Sequence, residues 1–210
     1  MRLKFVSAMA LGTLLVGNLL ADNFVAGKDY GELNAPEPTS AGEKVEILEF
    51  FSYVCPHCAT LEPHLQTWAT GDAADNIELR RIPVAWNQGM EPFARVFYAA
   101  DLLGASEEAH AAMFKLIHED KPPQLSLPII ADVFARHGLD RDAFISKFES
   151  DEVSQLVEQS KELTRRYRVT GVPTLIVDGF YTVGIPRDGD FDRMFAITDY
   201  LVGKADDSSS

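Results

Sequence analysis

The sequence predicts an α/β fold carrying an inserted all-helical domain, and three observations lead there. Apolar, β-prone runs stand at Val45–Phe51, at residues 77–84 and at Thr174–Val177. Between the second and third of these, residues 86–168 are helical in period throughout. The chain's only two cysteines, Cys55 and Cys58, stand together where the first core strand gives way to the first helix.

Each element has a local cause. Met1-Arg2-Leu3-Lys4 precedes an apolar run from Phe5 to Leu20, the pattern of a secretory signal peptide over residues 1–21 cleaved near Ala21. No cysteine stands directly after that site, which argues against a lipid anchor. The mature protein is therefore placed in an oxidising compartment, a periplasm or the cell exterior. Residues 22–41 read as loop, with a short strand near residues 24–30. Residues 45–51 are almost continuously apolar, as in a strand covered on both faces, and the embedded Glu46 and Glu49 point to opposite faces.

The helix after Cys55 should run to Thr70, with Gly71 beyond its end and Pro63 kinking or breaking it. In the next strand Arg80 and Arg81 face opposite ways, so one of them can meet Glu49. In the helical block, Gly104 ends one helix and Ser106 caps the next. Further helices follow over 126–137, 140–148 and 151–168. His110, His118 and His137 are expected as ordinary surface or cap histidines. Asp178-Gly179 is a tight hairpin turn between two short strands, and residues 190–202 form a closing helix. Residues 205–210, acidic and serine-rich, read as a disordered tail.

The order is thus a βαβ half and a ββα half split by helices, the thioredoxin fold with a helical insertion. The division expected is a discontinuous thioredoxin domain (22–85 and 161–204) around an insertion at 86–160. In this arrangement Cys55-Pro56-His57-Cys58 opens a helix, where unpaired N–H groups and the macrodipole favour a thiolate on Cys55. Pro56 loses nothing at the first helical position, and His57 adds a partner for the thiolate. Pro173, after Val172 at the start of a strand, stands where a cis bond is allowed but not required.

A formal charge of −13, more acidic still without Arg2 and Lys4, argues against nucleic-acid binding and anionic membrane surfaces. Three other readings of the cysteine pair stand beside this one. A zinc site needs two further ligands, and beyond His64 there is no second C-x-x-C. A purely structural disulfide would close too short a loop to stabilise much. Inert buried thiols fit poorly with export.

The segments Glu49-Phe50-Phe51-Ser52, Cys55-Pro56-His57-Cys58 and Gly171-Val172-Pro173-Thr174 resemble the DsbA thiol:disulfide oxidoreductases of bacterial periplasms, over essentially the whole mature chain. The resemblance implies a cis Pro173 beside the cysteine pair, a buried acid at Glu49, and its basic partner at Arg81, where other members have lysine. Pro63 departs from the family pattern. The activity implied is a thiol:disulfide oxidase that needs no cofactor or metal and acts as a monomer on unfolded exported proteins. A membrane quinone reductase of the DsbB type would reoxidise it. A three-unit depression of the Cys55 pKa would stabilise the thiolate by about 4 kcal/mol, or roughly 90 mV if felt only in the reduced state. That oxidising character is already known for the family, so the estimate is consistent with it without being independent of it. An isomerase, a reductase or a specialised oxidase on the same fold is the nearest rival. About 20 residues before the first core strand are too few for an isomerase's extra domain, and a reductant would more often carry Gly-Pro between its cysteines. A non-enzymatic metal or structural module is the rival of a different class.

Overall fold

A computed structural model describes residues 24–33, 44–71 and 75–209, with no side-chain account beyond residue 205. The expected signal peptide lies outside the described residues. Strand β1 (Gly31–Glu32) is followed by β2 (Val45–Phe51), α1 (Pro56–Thr70) and β3 (Ile77–Pro83). Helices α2 (Glu91–Asp101), α3 (Glu107–Lys115), α4 (Leu127–Arg136), α5 (Arg141–Phe148) and α6 (Asp151–Arg166) come next, with a π-helical turn at Leu116–Asp120. Strands β4 (Thr174–Val177) and β5 (Tyr181–Gly184) and helix α7 (Phe191–Ser209) close the chain.

The five strands form one mixed sheet in the order β1-β5-β4-β2-β3. β2 runs parallel to β3 and antiparallel to β4, and β4 to β5 is a hairpin. Strand β2 is flanked on both sides and buried almost throughout, as its unbroken apolar pattern requires. Its Val45 and Ile47 pack with Leu61 and Leu65 of α1 and Met194, Ile197 and Leu201 of α7. Its Leu48 and Phe50 pack on the other face with Ile82, Tyr167 and Ile176. A third cluster fills the helical block and reaches Phe51, Tyr53 and Cys58, so the block shares its core with the active-site end of the sheet.

Local signals act where expected. Ser106, Asp140 and Ser150 cap α3, α5 and α6 by accepting from the backbone N–H three residues on. Gly104 ends its helix at positive φ. Pro63 lies inside one continuous α1, with no break.

Three expectations are corrected. The first strand is not at residues 24–30: Gly27 turns the chain at positive φ, Ala26 and Tyr30 form only an isolated bridge, and the strand is Gly31–Glu32, paired with Thr182 and Tyr181. A Cβ at Gly31 would come within 2.5 Å of the Thr182 side chain, so the close approach requires glycine. The tail at 205–209 is not disordered but continues α7. Met194, Thr198, Leu201 and Ala205 form one buried stripe at helical spacing, which carries the helix past Val202. His110 is not a surface residue but is buried. Helix α6 is tied to β3 where the Ser160 hydroxyl donates to the Pro83 carbonyl.

Candidate active site

Strand β2 delivers the chain to a tight turn in which the Cys55 N–H donates to Ser52 O (3.0 Å). Cys55 is the N-cap of α1 with extended backbone, Pro56 takes the first helical position, and Cys55 O accepts from Ala59 N (3.1 Å). The two thiols are unbonded: Cys55 is half-buried and Cys58, one turn in, is fully buried. Pro56 and His57 are exposed beside them. Because β4 runs antiparallel to β2, its start lies at the same end of the sheet as the end of β2. That register brings Val172 to Cys55, whose Sγ–H donates to Val172 O at 3.4 Å, and the Val172–Pro173 bond is cis.

The two thiols are electrostatically unlike. Cys55 is lowered from 9.0 to about 6. The main cause is the hydrogen bond that Cys58 donates to its thiolate, opposed by burial and supported by the N–H groups of Cys58 and His57 and the charge of His57. Cys58 is pushed far above the ordinary thiol range by burial, by that same bond to Cys55 and by the Cys55 charge. One cysteine is poised as a thiolate and the other as a thiol.

Beneath them lies a buried polar cluster. Parallel pairing sets Glu49 of β2 beside Arg81 of β3, with Arg81 Nε 3.2 Å from Glu49. The guanidinium also meets Glu62 of α1 and Glu107 of α3, each at 2.9 Å. Arg80, on the other face, pairs with Glu46 at 3.2 Å. His110 of α3 is 3.4 Å from Glu62 through Nε2, while its Nδ1 is 2.7 Å from the Tyr53 hydroxyl. These partners assign the ring proton to Nε2 and make Tyr53 the donor to Nδ1. A cavity of about 190 Å³, lined by Tyr53, Arg81, Glu107 and His110, opens the cluster toward solvent.

Burial raises Glu49 to about 8; Arg81 opposes this, and the charges of Glu62 and Glu107 add to it. For Glu62 burial is outweighed by the adjacent His110 ring and by the Arg81 guanidinium, which hold it below the usual carboxylate range. Burial depresses His110 despite Glu62, so it is neutral near pH 7. The charge of Glu49 also raises Cys58, so the acid lies within electrostatic reach of the buried thiol.

Every residue singled out from sequence, Glu49, Cys55, Pro56, His57, Cys58, Val172 and Pro173, lies at or just beneath this end of the sheet. His64 does not: it is exposed and packs against the Phe191 ring. Among the described residues no group of three or more His, Cys, Asp or Glu side chains is arranged to hold a metal ion. Sequence reading passed over Glu62, Tyr53 and His110. Glu62 had a readable signal, since it follows Cys58 by four residues and so shares its face of α1. His110 had none, because its partners are 48 and 57 residues away.

The family described as "DSBA-like thioredoxin domain" matches residues 71–196. The chain is 35% identical to the thiol:disulfide interchange protein DsbA of Burkholderia cepacia, over 97% of this chain and 98% of that protein. It is 33% identical to the protein of the same name from Pseudomonas aeruginosa, over 97% of each. The crystal structure of Pseudomonas aeruginosa DsbA superposes with a TM-score of 0.81 at 32% identity, covering 90% of this chain and 98% of that one. The oxidoreductase DsbA of Xylella fastidiosa gives 0.78 at 34% identity, covering 86% and 97%.

Proposed function

Because the chain belongs to the DsbA family of thiol:disulfide oxidoreductases and is a disulfide oxidase, we propose that it works by passing a Cys55–Cys58 disulfide to exported, unfolded proteins in the periplasm. A substrate thiolate attacks Cys55 Sγ; the new S–S bond forms as the Cys55–Cys58 bond breaks, and the electron pair leaves on Cys58. The buried Cys58 sulfur must then take a proton, and Glu49, held protonated near neutral pH, supplies it. A second substrate thiolate attacks the substrate sulfur of the mixed disulfide. Cys55 leaves as a stabilised thiolate, the substrate is oxidised by two electrons and the protein is reduced by two.

The observation that carries this reading is the contrast between a half-exposed Cys55 lowered to about 6 and a buried Cys58 raised far above it. A low-pKa thiol leaves faster, which favours release of oxidised substrate. His57 supports the thiolate. Val172 and Pro173 guide the incoming chain, whose extended backbone would lie beside Cys55, a mode that suits many sequences. Reoxidation falls to a DsbB-type membrane quinone reductase, and the protein acts as a monomer. The signal peptide at 1–21 and the division into 22–85 plus 161–204 around 86–160 belong to the same reading.

A Cys58→Ser variant whose Cys55 has first been converted to its mixed disulfide with glutathione should exchange with a reduced, unfolded protein, releasing glutathione and leaving an adduct at Cys55 that reductant cleaves. Cys55→Ser should trap none. Equal trapping by both variants would refute the assignment of Cys55 as the attacked sulfur.

A further inference from the structure

The proton role given to Glu49 needs its carboxyl to stay protonated beside a buried arginine, and the geometry of that arginine explains how. Three carboxylates surround the single guanidinium of Arg81. Two receive well-formed hydrogen bonds at 2.9 Å: Glu62 from Nη2 and Glu107 from Nη1. Glu49 is left with Nε at 3.2 Å, in a geometry that makes no hydrogen bond, and neither of its buried oxygens accepts one among the described residues. A buried carboxylate without donors is costly to ionise.

We propose that Glu62 is a positioning residue for the redox reaction: by occupying the Arg81 guanidinium, with His110 of the helical block behind it, it leaves Glu49 undercompensated and so keeps the Cys58 proton partner in its acid form. The groups facing Glu49 are Arg81 from β3, Glu62 and Cys58 from α1, Tyr53 from the loop before Cys55, and Glu107 and His110 from α3, with Asp101 of α2 on the far side of Arg81. Within this set only Arg81 carries a positive charge near neutral pH, while Glu62 and Glu107 both draw on it. The device spans both parts of the fold. Helix α1 contributes Glu62, and α3 contributes His110, whose Nε2 lies 3.4 Å from Glu62 while its Nδ1 meets the Tyr53 hydroxyl at 2.7 Å. The inference rests on the reading of Glu49 as the proton partner of Cys58.

Reduced protein with carbon-13 in its glutamate carboxyls, titrated by NMR through the neutral range, reads Glu49 directly; Glu49→Gln identifies its signal. Glu62→Gln should lower the Glu49 midpoint by at least about one pH unit, a tenfold change in its ionised fraction. Glu107→Gln should move it the same way by less, because Glu107 is half exposed. An unchanged midpoint in the folded variants overturns the proposal, including the case in which stability falls but the midpoint stays. If Glu62→Gln does not fold, Glu107→Gln decides by the same criterion. A wild-type Glu49 that titrates in the ordinary carboxylate range removes its proton role as well, whereas a high wild-type midpoint unmoved by either variant overturns only the role of Glu62.

Discussion

Replacing Glu49 by Gln tests the buried acid through stability rather than activity. Glu49 is 1% exposed, and its folded-state pKa of about 8 lies above the ordinary value of 4.5. A carboxyl raised on folding contributes stability that is complete below about 4.5 and is lost as pH rises through about 8. At pH 7 roughly 2.5 units of that interval have been crossed, which at about 1.36 kcal/mol per unit is a loss of about 3 kcal/mol. Glutamine has nearly the same shape and never ionises, so the variant escapes the loss. Urea unfolding of the reduced protein should show Glu49→Gln more stable than wild type by up to about 3 kcal/mol at pH 7, with the two converging near pH 4. A variant less stable at pH 7, or a difference that does not change with pH, would refute the claim that Glu49 is held protonated by burial.

Other outcomes follow from the same geometry. Alkylation of Cys55 should rise with pH through a midpoint near 6 and level off by neutrality, and a midpoint left near 9 would contradict the stabilised thiolate. His57→Ser should raise that midpoint, though by less than the full shift, because the bond from Cys58 and the first-turn N–H groups remain; an unmoved midpoint would remove His57 from the site. Ser106→Ala removes the cap on Ala109 N and should cost about 1 kcal/mol in urea unfolding, with no loss indicating that the cap is idle.

Much of the molecule could be read in order along the chain, because its signals are local. The continuous apolar run of β2, the cap at Ser106 and the Asp178-Gly179 turn each act within a few residues. The cysteine pair could be read for the same reason: a strand, a proline at the first helical position and two thiols one turn apart are neighbours in sequence. The opposite faces of Glu46 and Glu49 followed from strand period alone, and Arg80 and Arg81 divide between them as that period requires. What escaped depends on tertiary position. His110 has the sequence context of an ordinary helical histidine, and only the packing of α3 against α1 turns it toward Glu62. The α7 extension escaped because Asp and Ser composition outweighed one buried alanine, Ala205, that continues a stripe begun eleven residues earlier.

The central claim is that the reduced state is favoured because Cys55 rests as a thiolate. With its pKa near 6 rather than 9, the reduced protein gains about 1.4 kcal/mol at pH 7, since only the interval between 6 and 7 counts there. The gain is complete above about 9 and vanishes as pH falls through about 6. At pH 7 it corresponds to roughly 30 mV, an upper bound because the half-exposed thiol is partly screened by solvent. Equilibrating the Cys55–Cys58 pair against glutathione across pH measures this directly. The account predicts a potential above that of a thioredoxin-type reductant (about −270 mV), reduced protein more stable than oxidised, and a change of slope near pH 6. A potential at or below about −270 mV with no break near pH 6 would contradict it.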